Sequence, residues 1–329
     1  MKKAKKNKLP FVSIVIVNYK GMEVLKVCIY SLMKIKYPKD RYEIIIVDNN
    51  SNDGTVEYLR KQYPSIKVVQ NRSNLGYVGI NSAIPSCKGD YIYFNNNDDA
   101  VNPDGVGAMA KILGNDESVA MVAHTTINYY DRKLVSGGTW VSRSMYCGHY
   151  PKTDNLEVKE IPYMGGAMIK KSIVQKFGYL FDPDYFIYAE DLDLGLRIRL
   201  LGMKTMVTSK AINYHMHSIT MKKYSLQHRN TFLMERNSLI TFFKIFSMKT
   251  IILLLPYVLL LRALTVGKDI LTLKPMNALA RIKAIFWVML NFEVVMRKRK
   301  ETQKLRKADD KYILKIFTER YIFRNPFTV

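Results

Sequence analysis

Four short apolar segments alternate with helical segments over the first hundred residues, and this alternation limits the possible folds more than any other feature. The apolar segments are rich in β-branched residues and are the predicted strands, at 11–17, 42–48, 66–70 and 90–94. The predicted helices lie between them, at 22–34, 53–62 and 76–85. Strand–helix–strand repeats form right-handed units with a mainly parallel sheet. The sequence therefore predicts an α/β fold.

Polar residues follow each of these strands. Asn18 and Tyr19 come after the first strand, and DNNSNDGT, NRSNLGYVGIN and NNNDD come after the next three. Asn and Asp also dominate ordinary turns. Ligands of such sheets, however, bind beyond the carboxyl ends of the strands. Four polar strand ends on one edge favour a binding site there.

Asn96 and Asp98 are the candidate metal ligands at the end of the fourth strand. A hard cation such as Mg²⁺ or Mn²⁺ takes oxygen ligands and is commonly shared between carboxylates and phosphates. The spacing of one residue between Asn96 and Asp98 sends both side chains towards one ion. The alternative is a solvated turn.

Two further groups of residues are candidates for catalysis or for binding a metal or phosphate. Glu190, Asp191 and Asp193 stand at the start of an amphipathic helix predicted within 181–204. They fit a helix N-terminus, but mutual repulsion also raises a carboxyl pKa, which suits a general base. His215 and His217 are spaced to share one face of a strand, as metal or phosphate contacts or as structural histidines.

Charge and cysteine content limit the possible partners. The chain carries 51 Lys and Arg against 28 Asp and Glu. Five lysines lie within 1–8, and residues 231–329 hold 19 basic against 7 acidic residues. This excess leaves nucleic acid, anionic membranes and phosphorylated substrates open. The three cysteines show neither a metal-ligand spacing nor a disulfide framework, which fits a reducing compartment. We identify no secretory signal.

Seven motifs occur together in one order: VSIVIVNYKG, EIIIVDNNSNDGT, NLGYVGINSA, YFNNNDDAVNPD, GGAMIKKS, FIYAEDLDLGLRIRLLG and YHMHSIT. Their order and spacing resemble family 2 glycosyltransferases, and in particular the rhamnosyltransferase-like branch. The resemblance covers about residues 10–240 and includes ERNSLITFF at 235–243. It implies a GT-A fold and inverting transfer of a sugar from a nucleotide diphosphate sugar.

The resemblance also implies roles for particular residues. Asp191 matches the catalytic base, with Glu190 beside it. Asn96 and Asp98 match the metal motif for Mn²⁺ or Mg²⁺, with an amide in place of the first carboxylate. Asp99 is an extra carboxylate that could substitute, and His215 matches a histidine that reaches the metal or diphosphate. The residues expected to contact the nucleotide sugar are Val17, Asn18, Tyr19, Asp48, Asn74, Gly76, Asn81 and Asn97.

The basic, apolar region from 231 to 329 is expected to associate with a membrane. Its longest apolar run, 250–261, has twelve residues and contains Pro256. A spanning helix needs about 20 apolar residues. We therefore expect helices that lie at an anionic membrane surface, on the cytoplasmic face, with Lys and Arg at the head groups. A single spanning helix and a soluble helical subdomain are the alternatives.

These features predict three regions: a basic tail at 1–9, a GT-A domain at 10–230 and a membrane-associating region at 231–329. The expected acceptor is a glycan, and the character of the last region favours a lipid-linked one. A sugar nucleotidyltransferase is the alternative enzyme, although VNYKGMEV at 17–24 is not the glycine-rich, lysine-bearing phosphate loop that is usual in that class. A nucleic-acid-binding protein is the alternative outside enzymes. We expect no nucleic acid partner, because the lysines are not interleaved with aromatic residues.

Overall fold

The computed structural model describes residues 9–150, 157–217 and 227–320. Most of the predicted basic tail, the last residues of the YHMHSIT motif and the segment 321–329 lie outside the described residues.

A ten-stranded mixed sheet forms the centre of the described structure. Its strand order is β10-β12-β6-β11-β4-β1-β2-β3, with β5 paired to β12 and β7 paired to β6. A separate hairpin joins β8 to β9. The strands are β1 (Val12–Asn18), β2 (Tyr42–Asp48), β3 (Lys67–Gln70), β4 (Tyr91–Asn96), β5 (Asp99–Val101), β6 (Val119–Asn128), β7 (Leu134–Ser136), β8 (Thr139–Val141), β9 (Cys147–His149), β10 (Val158–Ile161), β11 (Ala167–Lys170) and β12 (Lys204–His215).

The predicted parallel strands are confirmed for the first half of this sheet. Strand β1 pairs in parallel with β2 and β4, and β2 pairs in parallel with β3. The second half is mixed, because β11 runs antiparallel to both β4 and β6 while β12 runs parallel to β6. The carboxyl ends of β1, β2, β3 and β4 therefore share one edge, as the sequence predicts.

Ten α-helices are described, and the two predicted to start at 22 and 53 begin at Met22 and Thr55. Asp53 precedes the second helix. Its Oδ1 accepts a hydrogen bond from the amide of Thr55, the first residue of that helix (3.1 Å). The segment predicted as a helix at 76–85 is a 3₁₀ helix, Tyr77–Ser86. The α-helices are α1 (Met22–Leu32), α2 (Thr55–Gln62), α3 (Gly105–Asn115), α4 (Lys171–Phe177), α5 (Glu190–Leu200), α6 (Gln227–Ile245), α7 (Met248–Leu271), α8 (Pro275–Leu290), α9 (Phe292–Gln303) and α10 (Asp310–Leu314).

Two apolar cores cover the two faces of the sheet. Side chains alternate across a strand, so Ile14 and Ile16 of β1 join one core while Val15 and Val17 join the other. The first core includes helices α1 and α3, and the second includes α5 and α6. Burial on both faces explains why the first strand is a continuous apolar run.

The boundary predicted at residue 230 falls inside a helix, since α6 is continuous through it. The later helices also return to the sheet domain. The amide of Lys307 donates to the carbonyl of Leu200 at the end of α5 (2.8 Å), and Lys298 pairs with Asp182 (2.6 Å). The described helices between 227 and 320 therefore pack against the sheet domain.

Helix α7 corrects the expectation that its apolar run is too short to cross a membrane. The helix is continuous through Pro256 and has 24 residues, and an 18-residue stretch of it has a mean hydropathy of 2.0. Its length of about 36 Å, at about 1.5 Å per residue, matches the thickness of a bilayer core. Length and composition therefore allow a span.

Candidate functional site

The ends of β1 and β2 are joined by buried polar contacts. Ser51 donates its backbone N–H to Asp48 Oδ2 (3.0 Å), and Asn18 Nδ2 lies 3.4 Å from Ser51 Oγ. Asn97 Nδ2, beyond β4, donates to Asn18 Oδ1 (2.7 Å). Among the described residues, buried Asp48 Oδ1 has no hydrogen-bond partner, so it remains free to accept from a ligand.

Asparagines connect this edge to the loop before the 3₁₀ helix. Asn49 Nδ2 donates to the Gly76 carbonyl (2.7 Å), and Asn71 Nδ2 donates to Asn49 Oδ1 (2.8 Å). Asn74 Oδ1 accepts from the Gly76 amide (2.9 Å). Gly76 has a φ of 68°, and a Cβ there would clash with the carbonyl of Phe186. Only glycine allows this loop to approach that carbonyl.

Three potential metal ligands lie together at the end of β4 and across β5 and β12. Asp98, Asp99 and His215 each offer a donor atom, and these atoms lie within 4.8 Å of one another. His215 Nδ1 is 2.9 Å from Asp99 Oδ1 and 3.5 Å from Asp98 Oδ1. Both carboxylates are buried and the imidazole is partly exposed. The cluster therefore opens on one side only.

Opposite charges set the protonation of this cluster. Burial lowers the pKa of His215, but the hydrogen bond and charge of Asp99 outweigh it and raise the pKa to about 9. Burial likewise acts against the charged form of Asp99, but the hydrogen bond and charge of His215 hold its pKa below the usual range. The two residues thus form an ion pair, and coordination of a cation by His215 would require release of the imidazole proton.

Asn96 lies beside this cluster, and its predicted role as a metal ligand stays a prediction. A two-residue turn at 97–98 brings Asp99 next to Asn96, and Asn96 Nδ2 donates to Asp99 Oδ2 (2.9 Å). Asn96 therefore orients a carboxylate. The donor set of two carboxylates and one imidazole fits Mn²⁺ or Mg²⁺ better than an amide with one carboxylate, because ionised oxygens are the stronger ligands.

A group of three buried polar residues lies next to the cluster. Asn213 Nδ2 lies 2.5 Å from Asn95 Oδ1 and 2.8 Å from His124 Nε2. Burial lowers the pKa of His124 to about 4, so its ring is neutral. A Cβ on Gly166 would clash with His124, which makes the absence of a side chain at Gly166 necessary for this packing.

Glu190 and Asp191 begin α5, as predicted. Asp191 Oδ1 accepts from the Leu192 amide (2.8 Å), and a methyl group at Gly165 would lie 3.6 Å from Asp191 Oδ2. Burial raises the pKa of Asp191 to about 6. Burial and the charge of Asp191 raise the pKa of Glu190 well above its usual range. The pair thus holds a proton more tightly than ordinary carboxyl groups do.

Tyr77 lies beside Asp191, with Gly165 between them, and is within range of the charge of Asp99. Its hydroxyl donates to the Gly165 carbonyl (3.0 Å). Burial is the main cause that raises the pKa of Tyr77, and the negative charges of Glu190, Asp99 and Asp191 add to it. The potential metal ligands and the candidate base therefore both lie near Tyr77.

Two predicted or considered residues have structural partners instead. Asp193 is fully buried and forms ion pairs with Arg197 and Lys244, both at 2.7 Å. Asn81 Nδ2 donates to the Phe181 carbonyl (2.7 Å), and its Oδ1 accepts from backbone amides. The Asn81 amide thus holds the backbone at Leu180 and Phe181, and its contact with the nucleotide sugar stays a prediction.

Residues 13–178, half of the chain, match the family described as Glycosyl transferase family 2. The chain belongs to this family. The match includes the ends of β1, β2, β3 and β4 and the Gly165–Gly166 pair, and it stops before α5.

Several family 2 relatives are similar over about two thirds of the chain. A poly(ribitol-phosphate) beta-glucosyltransferase of Bacillus spizizenii is 26% identical over 62% of the chain and 32% of its own length. TarS of Staphylococcus aureus, a poly(ribitol-phosphate) beta-N-acetylglucosaminyltransferase, is 24% identical over 62% of the chain and 35% of its own length. The chain thus spans about a third of the length of these relatives.

Solved structures confirm the predicted GT-A fold. GalNAc-T7, solved with UDP, GalNAc and Mn²⁺, has a TM-score of 0.60 at 18% identity, over 72% of this chain and 48% of that one. A mannosyltransferase of Pyrobaculum calidifontis, solved with GDP-Man and Mn²⁺, has a TM-score of 0.55 at 15% identity, over 94% of this chain and 86% of that one. At these identities the likeness establishes the fold.

Some site residues of this family 2 chain have no clear signature in the sequence. Tyr77 and Ser51 have no local signal, because their contacts form between distant segments. His124 could have been suspected as a histidine at the end of a buried strand. Asn237 and Lys244 of α6 lie beyond the residues that match the family.

Proposed function

We propose that this chain is a glycosyltransferase that transfers a sugar from a nucleoside diphosphate sugar to an acceptor hydroxyl, with inversion at the anomeric carbon. The observation that carries the proposal is that Tyr77 contacts the Gly165 carbonyl beside Asp191 and also lies within range of the charge of Asp99, so that the cluster Asp98–Asp99–His215 and the pair Glu190–Asp191 are near one another. One group suits a diphosphate-bound cation and the other suits a base.

The nucleoside would bind at the ends of β1, β2 and β3. Asp48 supports this assignment, because its buried Oδ1 lacks a partner among the described residues. The backbone at Val17 and Tyr19 lies at the same strand end, and Asn97 adjoins it through Asn18. Asn74 and Gly76 shape the neighbouring loop and would line the other side of the nucleoside.

Asp98, Asp99 and His215 would hold Mn²⁺ or Mg²⁺, as their donor chemistry fits. A bound divalent cation supplies positive charge that stabilises the diphosphate leaving group. Asn96 would keep Asp99 oriented through its hydrogen bond. The relatives' substrates support a nucleotide sugar donor, since structures of similar fold were solved with UDP or GDP-Man and Mn²⁺.

Asp191 would accept the proton of the acceptor hydroxyl. Asp191 is a partly exposed residue, whereas Glu190 is buried and Glu190 Oε2 has no hydrogen-bond partner among the described residues. A pKa near 6 leaves Asp191 ionised at neutral pH but more basic than an ordinary aspartate, which suits a general base. Inversion needs only this one base and no covalent enzyme intermediate.

The acceptor would be a lipid-linked glycan that is presented at a membrane. The outer faces of α7 and α8 support this, because they expose a continuous series of large apolar side chains beside exposed lysines. We call this surface the apolar face; its members are Ile252, Leu253, Leu259, Leu260, Leu264, Ile270, Leu271, Leu273, Met276, Leu279, Ile282, Phe286, Met289 and Leu290. The adjoining exposed lysines are Lys249, Lys268, Lys274 and Lys283.

The buried side of α7 favours a helix that lies on the membrane over one that spans it. Arg262 is fully buried, lies 3.1 Å from Glu235 Oε2 and donates to the Ser144 carbonyl (2.8 Å). Arg281 of α8 pairs with Glu235 and with Asp269 of α7. Leaving these partners would expose paired charges to lipid at a high cost. We assign the protein to the cytoplasmic face, consistent with three free cysteines.

A thermal-shift screen of UDP, GDP and dTDP with and without Mn²⁺ tests the donor site. A nucleotide at 100 times its dissociation constant stabilises the fold by about 2.7 kcal/mol. We expect one nucleotide to raise the melting temperature, and Mn²⁺ to increase that rise. The matching nucleotide sugars are then assayed for transfer to lipid-linked glycans. The absence of any nucleotide-dependent shift would contradict the proposed function.

A further inference from the structure

The loop that leads into Glu190 and Asp191 has a strained backbone. Phe186, Tyr188 and Ala189 have φ values of 64°, 70° and 60°. Residues other than glycine rarely adopt this conformation, and it persists only where surrounding contacts enforce it. Because the loop runs directly into α5, its conformation sets the position of both carboxylates.

Helix α6 faces this loop with a row of buried polar side chains. Asn237, Thr241 and Lys244 are four and three residues apart, which places them on one face of the helix. All three are fully buried. Buried polar groups are costly unless they are hydrogen-bonded or paired, so the partners of this row explain why it is tolerated.

Asn237 gathers the carbonyl groups of the loop. Its Nδ2 donates to the carbonyls of Tyr185 (3.1 Å), Ile187 (3.1 Å) and Tyr188 (2.7 Å). Its Oδ1 accepts from Arg236 Nε (2.9 Å), which fixes the orientation of the amide. Three carbonyl groups of the loop thus point towards the same amide nitrogen. The positive φ values of the loop accompany this arrangement of its backbone.

Thr241 and Lys244 hold the two ends of the same segment. Thr241 Oγ1 lies 2.9 Å from the hydroxyl of Tyr185. Lys244 Nζ lies 2.8 Å from Asp182 Oδ2 and 2.7 Å from Asp193 Oδ1, so it bridges the residues on either side of the loop. Burial lowers the pKa of Lys244, but the charges of Asp193 and Asp182 raise it above its usual range. The bridge is therefore ionic.

We propose that Asn237, Thr241 and Lys244 are positioning residues, which hold segment 182–193 so that the Asp191 carboxylate meets the acceptor hydroxyl. They would act through the loop and touch neither substrate nor reacting atoms. The kinetic consequence rests on the proposed function, whereas the ordering of the segment can be measured without it. The functional unit would then extend through α6, beyond the residues that match the family.

Hydrogen exchange on the full chain tests the ordering directly. Asn237→Asp keeps the shape of the side chain but turns a donor into an acceptor that faces three carbonyls. Gln303→Ala is the matched control, because Gln303 Nε2 donates to the carbonyls of Lys244 (2.6 Å) and Ile245 (3.0 Å) at the other end of α6. We expect faster exchange in peptides covering 183–191 only in Asn237→Asp. Unchanged exchange in a folded Asn237→Asp would overturn the proposal.

Transfer kinetics separate positioning from donor binding. A misplacement of about 1 Å costs about 10²-fold in rate, so we expect Asn237→Asp to lower kcat to that extent with an unchanged KM for the donor. Gln303→Ala should retain the wild-type kcat. A raised donor KM with unchanged kcat would contradict positioning. If the wild type transfers no sugar, the proposed function fails, and hydrogen exchange alone decides the positioning role.

Thr241→Val provides a second, milder variant if Asn237→Asp does not fold. Valine has nearly the same shape and removes only the hydroxyl that contacts Tyr185. We expect the same faster exchange over 183–191 and a smaller loss of kcat. Wild-type exchange and kcat in folded Thr241→Val would overturn the proposal in that case.

Discussion

His215 and Asp99 face each other across the pairing of β12 with β5, and His215 Nδ1 lies 2.9 Å from Asp99 Oδ1. Asp98 adjoins them from the turn after β4, with its Oδ1 3.5 Å from His215 Nδ1. Two strands that are distant in sequence thus supply one donor set. Asp99 is therefore as strong a candidate for a metal ligand as Asp98.

The first prediction concerns the metal. Asp98→Ala and Asp99→Ala should each abolish the part of the nucleotide-induced thermal shift that depends on Mn²⁺, because each removes an ionised oxygen ligand. Asp104→Ala is the control, since Asp104 is an exposed carboxylate that pairs only with exposed Lys36 among the described contacts. A Mn²⁺-dependent shift that survives in either cluster variant would remove that residue from the site.

The second prediction concerns the base. Asp191→Asn keeps the shape of the side chain but cannot accept a proton at neutral pH. We expect unchanged donor binding and a transfer rate lower by about 10²–10⁴-fold. Glu190→Gln should cost less, because Glu190 is buried beside Asp191 and tunes it. The reverse order of the two effects would show that Glu190 is the base.

The third prediction concerns pH. Because burial raises the pKa of Asp191 to about 6, the base becomes protonated, and so inactive, as the pH falls below that value. We expect kcat/KM to fall by roughly tenfold per pH unit below about 6. The donor-induced thermal shift over the same range is the control for binding. An acidic limb centred near pH 4, the region of ordinary carboxyl groups, would contradict the shift.

The fourth prediction concerns the apolar face. Leu264→Ser combined with Leu290→Ser should reduce sedimentation of the full chain with anionic vesicles, because both side chains are exposed and apolar. Tyr130→Ser is the control, since Tyr130 is 73% exposed but lies outside α7 and α8. Vesicle binding that resists alkaline carbonate would instead indicate that α7 spans the bilayer.

The fifth prediction concerns stability. Lys244→Met should destabilise the fold by about 3–5 kcal/mol, because it leaves buried Asp193 and Asp182 without a shared cation. Lys210→Met should change stability little, since Lys210 pairs with Glu157 in an exposed contact. Chemical denaturation of the full chain measures both. A loss of under about 1 kcal/mol for Lys244→Met would show that the remaining pairs suffice. Ending the chain at residue 230 should prevent folding, because it removes Lys244 and so leaves buried Asp193 and Asp182 without their shared cation.

The sequence by itself determined the parallel half of the sheet and the edge where the site lies. Continuous apolar runs and turn residues are local signals, and right-handed connections then fix the strand ends on one side. The same local signals placed Asp98, Asp191 and His215. The family also follows from the sequence, because seven motifs stand in one order along the chain.

Tertiary structure decided the features that depend on distant partners. Asp99 joins the candidate ligands because the turn at 97–98 and the pairing with β12 direct its carboxylate towards His215. Arg262 is compatible with a long apolar helix because Glu235 of α6 neutralises it. A buried polar side chain looks the same in sequence as an exposed one. Only the fold shows which charge or carbonyl group it contacts. Burial of a polar side chain without such a partner would strongly destabilise the fold.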